Sequence, residues 1–234
     1  MFPNGKKKAL TFSFDDGVSQ DRRFIKILNR YGLKGTFNLN SGILGAAARL
    51  RSCPVTVPHV RMVKEEIREV YAGHEIAAHT LTHPHLNTLS DEQIVREVEE
   101  DRLALSEIAG YEVVGFAYPY GDGAADERVS ELVRSRTGVR YGRLTDPTYA
   151  FDLPADPIRW HASVHEHMEF EKMCELGREF LALAPETEQV FAVWGHSYEL
   201  DMNDEWDAFE AFCAEMAGRE DIWYATNREI LLGE

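Results

Sequence analysis

The sequence predicts an α/β fold in which strands alternate with amphipathic helices around a parallel sheet or barrel. Apolar strand-like runs and helical runs alternate through most of the length, which is the pattern of βαβ units. At 234 residues the chain is long enough for one large core, and α/β barrels of this size commonly form one unit, so a single domain over 1–234 is expected. Two polar motifs also follow apolar runs, which places them at carboxyl ends of strands, where α/β folds hold ligands.

The elements follow in order. Ala9-Leu10-Thr11-Phe12-Ser13-Phe14, bounded by Gly17, reads as a buried strand over 8–14. A helix over 20–31 and a strand over 35–39 come next. Residues 41–60, with Cys53, Pro54 and Pro58, read as a long turn-rich loop. A helix over 61–72 and a strand over 74–78 precede the helix 91–109, where Ser90 and Gln93 suit a capping box and Gly110 a C-cap. A strand over 113–117, a helix over 125–136 and a strand over 139–142 lead to a second long loop, 143–156, carrying Pro147 and Pro154. The last elements are a strand over 157–160, a helix over 169–183, a strand over 190–194, a helix over 205–217 and a strand over 221–225. Long loops beside a site shape binding or act as lids, but they are as often plain surface excursions.

Composition excludes several classes. Hydrophobic residues at 44% and aromatics at 11% fit a globular chain, and no run approaches the roughly 20 apolar residues of a membrane span. A net charge of −15 argues against nucleic acid as a partner, because phosphate binding needs clustered Lys and Arg. The only basic cluster, Lys6-Lys7-Lys8, is short. The acidic stretches 91–107 and 204–215 read as solvated helix faces. Cys53, Cys174 and Cys213 are odd in number and widely spaced, so they suggest buried or free thiols, not a disulfide framework or a cysteine zinc site. The start, Met1 to Lys6, lacks the apolar core of a secretory signal, so a cytoplasmic location is expected as written, although a trimmed export signal would leave the same trace. Nothing in the sequence speaks to oligomeric state.

The chemistry is concentrated in Thr11-Phe12-Ser13-Phe14-Asp15-Asp16-Gly17 and His79-Thr80-Leu81-Thr82-His83-Pro84. Two imidazoles on one zinc-like ion must each come within about 2.0–2.1 Å of it. Four residues of strand span roughly 13 Å, whereas positions i and i+4 of a helical turn lie about 5–6 Å apart. The strand should therefore end near His79 and the chain coil beyond it. An Asp-Asp-Gly alone is an ordinary turn and a His-x-x-x-His alone also occurs on solvated helices. Their conjunction points to a hydrolytic metal site.

These motifs resemble the first two of the polysaccharide deacetylases, the NodB-homology group also called carbohydrate esterase family 4. The resemblance continues through Ala117-Tyr118-Pro119-Tyr120-Gly121, Asp156-Pro157-Ile158-Arg159-Trp160 and Trp194-Gly195-His196, in the family's order. It implies a distorted (β/α) barrel of about seven strands and removal of N-acetyl groups from an amino-sugar poly- or oligosaccharide. It further implies Asp16, His79 and His83 as ligands of a divalent metal, zinc first with cobalt or nickel suiting the same donors. Asp15 would be the general base, His196 the general acid, and the backbone N–H of Tyr120 an oxyanion donor. The family's third motif usually begins with Arg, which pairs with the base, and Ala117 stands there instead. Arg159 is the substitute candidate, against the alternative of an unrelated surface arginine. Trp160 and Trp194 would wall the acetyl methyl or stack on a sugar, or simply belong to the core. Tyr198 and Glu199 are close enough in sequence to tune His196. His74 and His85 are expected around the metal loop; His59, His161, His165 and His167 lie outside the matched positions, and their expected roles are structural. Two rival readings remain at this level: hydrolysis of another linear or cyclic amide, as in allantoinase-like members of the superfamily, or a non-catalytic carbohydrate-binding relative.

Overall fold

The computed structural model describes residues 2–52 and 55–234, so the expected thiol at Cys53 lies outside the described residues. The strands are β1 (Lys8–Asp15), β2 (Gly35–Leu39), β3 (Ala47–Ser52), β4 (Val55–Val60), β5 (Glu75–Ala78) and β6 (Gly115–Ala117), followed by β7 (Tyr141–Leu144), β8 (Trp160–His161), β9 (Val164–His165), β10 (Gln189–Gly195) and β11 (Ile222–Tyr224). The helices are α1 (Asp21–Arg30), α2 (Lys64–Val70), α3 (Asp91–Ala109), α4 (Glu127–Arg136), α5 (Phe170–Ala182), α6 (Glu199–Met202), α7 (Trp206–Met216) and α8 (Asn227–Leu232).

Every residue of β1 is buried, yet its two faces differ in chemistry. Leu10, Phe12 and Phe14 belong to the core beneath the helices, where Phe14 meets Phe24 of α1 at 4.0 Å between ring centroids and Phe24 stacks on Phe209 of α7 at 4.8 Å. Thr11, Ser13 and Asp15 alternate with them and face a polar interior, bonding Asn227 and Asn38. Burial on both faces is what a helix-wrapped parallel sheet requires.

The strands run in the order β8-β7-β6-β5-β2-β1-β10-β9, with β11 beside β1. β8 and β9 stand at opposite ends of that row, although only Ala162 and Ser163 separate them in sequence. The stretch from Trp160 to His165 is thus one interrupted strand that pairs with β7 on one side and β10 on the other. It closes the row into a distorted barrel. Counted once, it leaves a ring of β1, β2, β5, β6, β7, the interrupted strand and β10, which matches the expected seven. β11 pairs Lys8 to Leu10 of β1, below the point where β2 begins at Phe12.

Three local differences from the sequence reading have physical reasons. Residues 41–60 are not a plain loop: β3 and β4 form an antiparallel hairpin, and it is docked over the barrel mouth through Ser19 N–H to Val60 O at 2.8 Å and Met62 N–H to Gly17 O at 2.8 Å. The strand expected at 139–142 runs on to Leu144 and carries the charged Arg143 into the interior. The strand expected at 157–160 begins only at Trp160, because Pro157 opens a 3-10 turn capped by the Asp156 carboxylate, a place where its fixed φ and missing N–H do no harm. α6 and α8 were too short for a periodic signal. The capping box of α3 and its left-handed Gly110 are as expected. Cys174 and Cys213 are free thiols, half-buried and buried. No helix among the described residues is long and apolar enough to cross a membrane.

Candidate active site

Asp15 ends β1 and Asp16 leaves it through a left-handed backbone, φ 79°. The next residue, Gly17, has φ 62°, and a Cβ there would lie 2.5 Å from Leu39 Cδ2, so the turn needs glycine. The two adjacent carboxylates therefore take different partners. Asp15 accepts from Asn38 Nδ2 at 2.8 Å and from Arg143. Asp16 is met by His59 Nε2 at 3.0 Å and Arg61 Nη2 at 3.1 Å, both carried by or just beyond β4.

His79 and His83 come together, but not on a helical turn. Thr80 and His83 have left-handed backbones, φ 68° and 61°, and the segment is irregular. Pro84 disfavours the right-handed helical region at His83, and Asn40 Nδ2 holds the bend by donating to the carbonyls of His79 and Thr80. The imidazoles still lie 4.8 Å apart between centroids. One donor atom each from Asp16, His79 and His83 lies within 4.8 Å of the other two.

This donor set fits a divalent cation. His79 Nδ1 lies 2.7 Å from Ala117 O, which fixes the proton on Nδ1 and leaves the Nε2 lone pair free. Burial pushes the His79 pKa down to about 4, against the opposing pull of Asp15, and burial likewise lowers His83. Both rings are neutral at pH 7. For Asp16, burial favours the acid but the His59 hydrogen bond and then the charges of His196 and Arg61 prevail, so it stays well below the usual carboxylate range. Two neutral imidazoles and an ionised carboxylate are what a zinc-type site takes.

Asp15 is paired with Arg143, fully buried in β7. Burial would raise its pKa, but Arg143 first, and then His79 and His196, hold it low. Arg159 does not take part: its Nη1 donates to Ala125 O at 3.0 Å and to Ser130 Oγ at 2.5 Å, on the outside of the barrel against α4. The expectation for Arg159 is therefore corrected. Arg143 is the parallel-ladder partner of Ala117, so the guanidinium occupies the same rung one strand over from where the third motif would put it. Its Cζ also lies 4.5 Å from the Trp194 ring, a cation–π contact.

His196 follows β10. Glu199 Oε2 accepts from its backbone N–H at 3.0 Å and lies 3.1 Å from its Nδ1. Burial opposes charging, yet Glu199 and, more weakly, Asp16 and Asp15 raise His196 to about 9. His165, His196 and Glu199 also bring donor atoms within 4.8 Å of one another. However, His165 Nδ1 already accepts from the amides of His167 and Met168 at 3.2 and 3.1 Å. The His165 proton therefore sits on Nε2, 3.6 Å from Glu199 Oε2. This trio buttresses His196 and is not a second metal set. If His196 is the proton donor, activity must fall as pH rises through its pKa. Glu199→Gln removes the charge that raises it and should move the basic limb of the pH–rate profile down by about one to three pH units; a limb that stays in place would exclude that coupling.

Tyr120 also has a left-handed backbone, φ 58°. Its half-exposed ring stacks on His85 at 3.7 Å and meets His83 edge-on at 4.7 Å. Trp194 lines a cavity of about 600 Å³ beside the site together with Tyr120, Tyr149, His165 and Met168. Trp194 also belongs to the buried cluster inside the barrel in which Trp160 packs with Ala162 and Ala192. His85 does lie beside the His79–His83 segment, against Tyr120, but His74 lies at the opposite end of β5, accepting from Gly35 N–H at 3.1 Å. His161 pairs with Asp122 at 2.8 Å. Sequence reasoning missed Arg143, and it treated His59 as structural and left Arg61 unmentioned. The available signal was a charged residue inside the apolar run Tyr141 to Leu144, which demands a buried partner.

A model of the family described as polysaccharide deacetylase matches residues 3–142. Chitin deacetylase 1 of Cryptococcus neoformans is 33% identical over 161 residues, 67% of this chain and 30% of that protein. The chain spans less than a third of the length of the curated relatives it matches. Among solved structures, a Mycobacterium smegmatis protein described as a candidate polysaccharide deacetylase superposes with a TM-score of 0.72 at 19% identity, over 100% of this chain and 92% of that one. The allantoinase PuuE gives 0.72 at 13%, over 99% and 91%. At such identities these likenesses show the fold alone.

Proposed function

This chain belongs to the polysaccharide deacetylase family, and from that premise we propose that it is a metal-dependent hydrolase that removes acetyl from an N-acetylated amino-sugar oligo- or polysaccharide, releasing acetate and a free amine. The observation that carries this reading is the division of labour between neighbours: Asp15 faces Arg143, while Asp16 faces His79 and His83. That contrast in partners supports Asp15 as the base and Asp16 as a metal ligand within one dipeptide.

A divalent ion held by Asp16, His79 and His83 would polarise the acyl oxygen and acidify a water molecule. Zinc is the first candidate for that ion, with cobalt and nickel as alternatives. Asp15, ionised and clamped by Arg143, accepts the proton from the attacking water. The backbone N–H of Tyr120 is the candidate donor to the developing oxyanion, a role in which one such bond contributes about 2.7–4 kcal/mol. His196, kept protonated by Glu199, gives a proton to the departing amine nitrogen, without which C–N cleavage stalls. Acetate, not the sugar amine, carries away the oxygen of the water.

The test is purification with and without chelator, measurement of bound metal, and assay of acetate release from N-acetylglucosamine oligomers. Bound metal with chelator-sensitive acetate release is expected. A protein that takes up no metal would overturn the reading. Metal without acetate release would transfer it to another amide or to a binding role.

A further inference from the structure

The cavity beside the site is bordered by Tyr120, Tyr149, Trp194 and Met168, with Asp146 and Glu169 at its edge and no Lys or Arg among its lining residues. Tyr120, Tyr149 and Met168 rank among the exposed large hydrophobic residues, Met168 at 77% exposure. Among the described residues neither Asp146 nor Glu169 is in an ion pair, and the Glu169 carboxylate accepts from the Tyr149 hydroxyl. Two of its lining residues also touch the candidate site: Tyr120 meets His83, and Trp194 lies against the Arg143 guanidinium that pairs with Asp15.

Aromatic faces beside uncompensated carboxylates suit one kind of occupant, a group with an apolar C–H face and a positive charge. A neutral sugar satisfies only the first requirement. An anionic substituent meets Asp146, Glu169 and a chain of net charge −15, which is like-charge juxtaposition. We propose that this cavity receives an amino-sugar unit bearing a free, protonated amine, adjacent to the unit whose N-acetyl group is at Asp15 and Asp16, so that partly deacetylated chains are preferred over fully acetylated ones. This rests on the deacetylase reading for its kinetic consequence but not for binding. Each turnover generates a unit of the kind the cavity takes, so deacetylation would tend to proceed beside units already opened.

Two measurements test it. The ratio of kcat/KM for a tetramer of N-acetylglucosamine with one glucosamine neighbour to that for the fully acetylated tetramer should be about five- to thirtyfold at low salt. It should shrink with added salt, and towards one in the double variant Asp146→Asn, Glu169→Gln. A ratio at or below one in the wild type overturns the proposal. Calorimetric titration with glucosamine tetramer requires no turnover: affinity should exceed that for the N-acetylated tetramer and fall in the same double variant. If no substrate releases acetate yet this difference is found, the deacetylase reading fails and the cavity assignment stands. Equal affinities would end it.

Discussion

Arg143→Gln should lower kcat by about 10²-fold or more, because it releases Asp15, the proposed base, and a positioned base contributes about 10²–10⁴. It should also destabilise the fold by about 3–5 kcal/mol, the usual result of leaving one member of a buried ion pair alone. The pKa of Asp15 is held low mainly by Arg143 against its own burial. Without the arginine the Asp15 pKa rises, and the acidic limb of the pH–rate profile must move to higher pH. A purely structural role for Arg143 would lower yield and melting temperature and leave that limb where it was. Arg159→Gln is the control, expected to leave the limb unmoved because that side chain is spent on Ala125 and Ser130. The ladder pairing of Ala117 with Arg143 permits a stronger test. Residues paired in a parallel ladder share a face, so Ala117→Arg in the Arg143→Ala background should recover part of the lost turnover, and no recovery would argue that the position of the guanidinium is not interchangeable between the two strands.

What could be read from the sequence divides along the range of the interactions involved. Strand order along the chain, the capping box of α3 and the positions of Asp15, Asp16, His79 and His83 follow from local pattern. The conformation around His79 does not: the requirement that two imidazoles meet is satisfied by left-handed residues at Thr80 and His83, held by Asn40 just beyond β2, and no i to i+4 argument reports that. Arg143 was lost at a boundary. A charged residue ordinarily ends an apolar strand, yet here Arg143 turns inward, its Nη2 paired with Asp15 and its Nη1 buried without a hydrogen-bond partner. His59 and Arg61 were hidden for a different reason. Their hairpin meets Asp16 43 to 45 residues away in sequence, and nothing in 41–60 alone signals the partner.

On the proposed reading Asp16, His79 and His83 are ligands and His59 only their support, and metal content is where the two should part. Asp16→Asn or His79→Ala removes one of three donors and should abolish stoichiometric metal retention after gel filtration. The rate loss should be about three orders of magnitude or more, since a catalytic ion in the proposed role would contribute several kcal/mol of charge stabilisation and each 1.36 kcal/mol is tenfold. His59→Ala should behave differently. His59 contacts Asp16 Oδ2 at 3.0 Å but is not one of the three residues whose donor atoms converge. Loss of such an outer partner typically costs about 10–100-fold in metal affinity or activity. The His59 variant should therefore regain turnover when metal is added in excess, and the Asp16 and His79 variants should not. If His59→Ala were as inert to added metal as His79→Ala, the imidazole would have to be counted as a ligand, and the hairpin that carries it as part of the metal site.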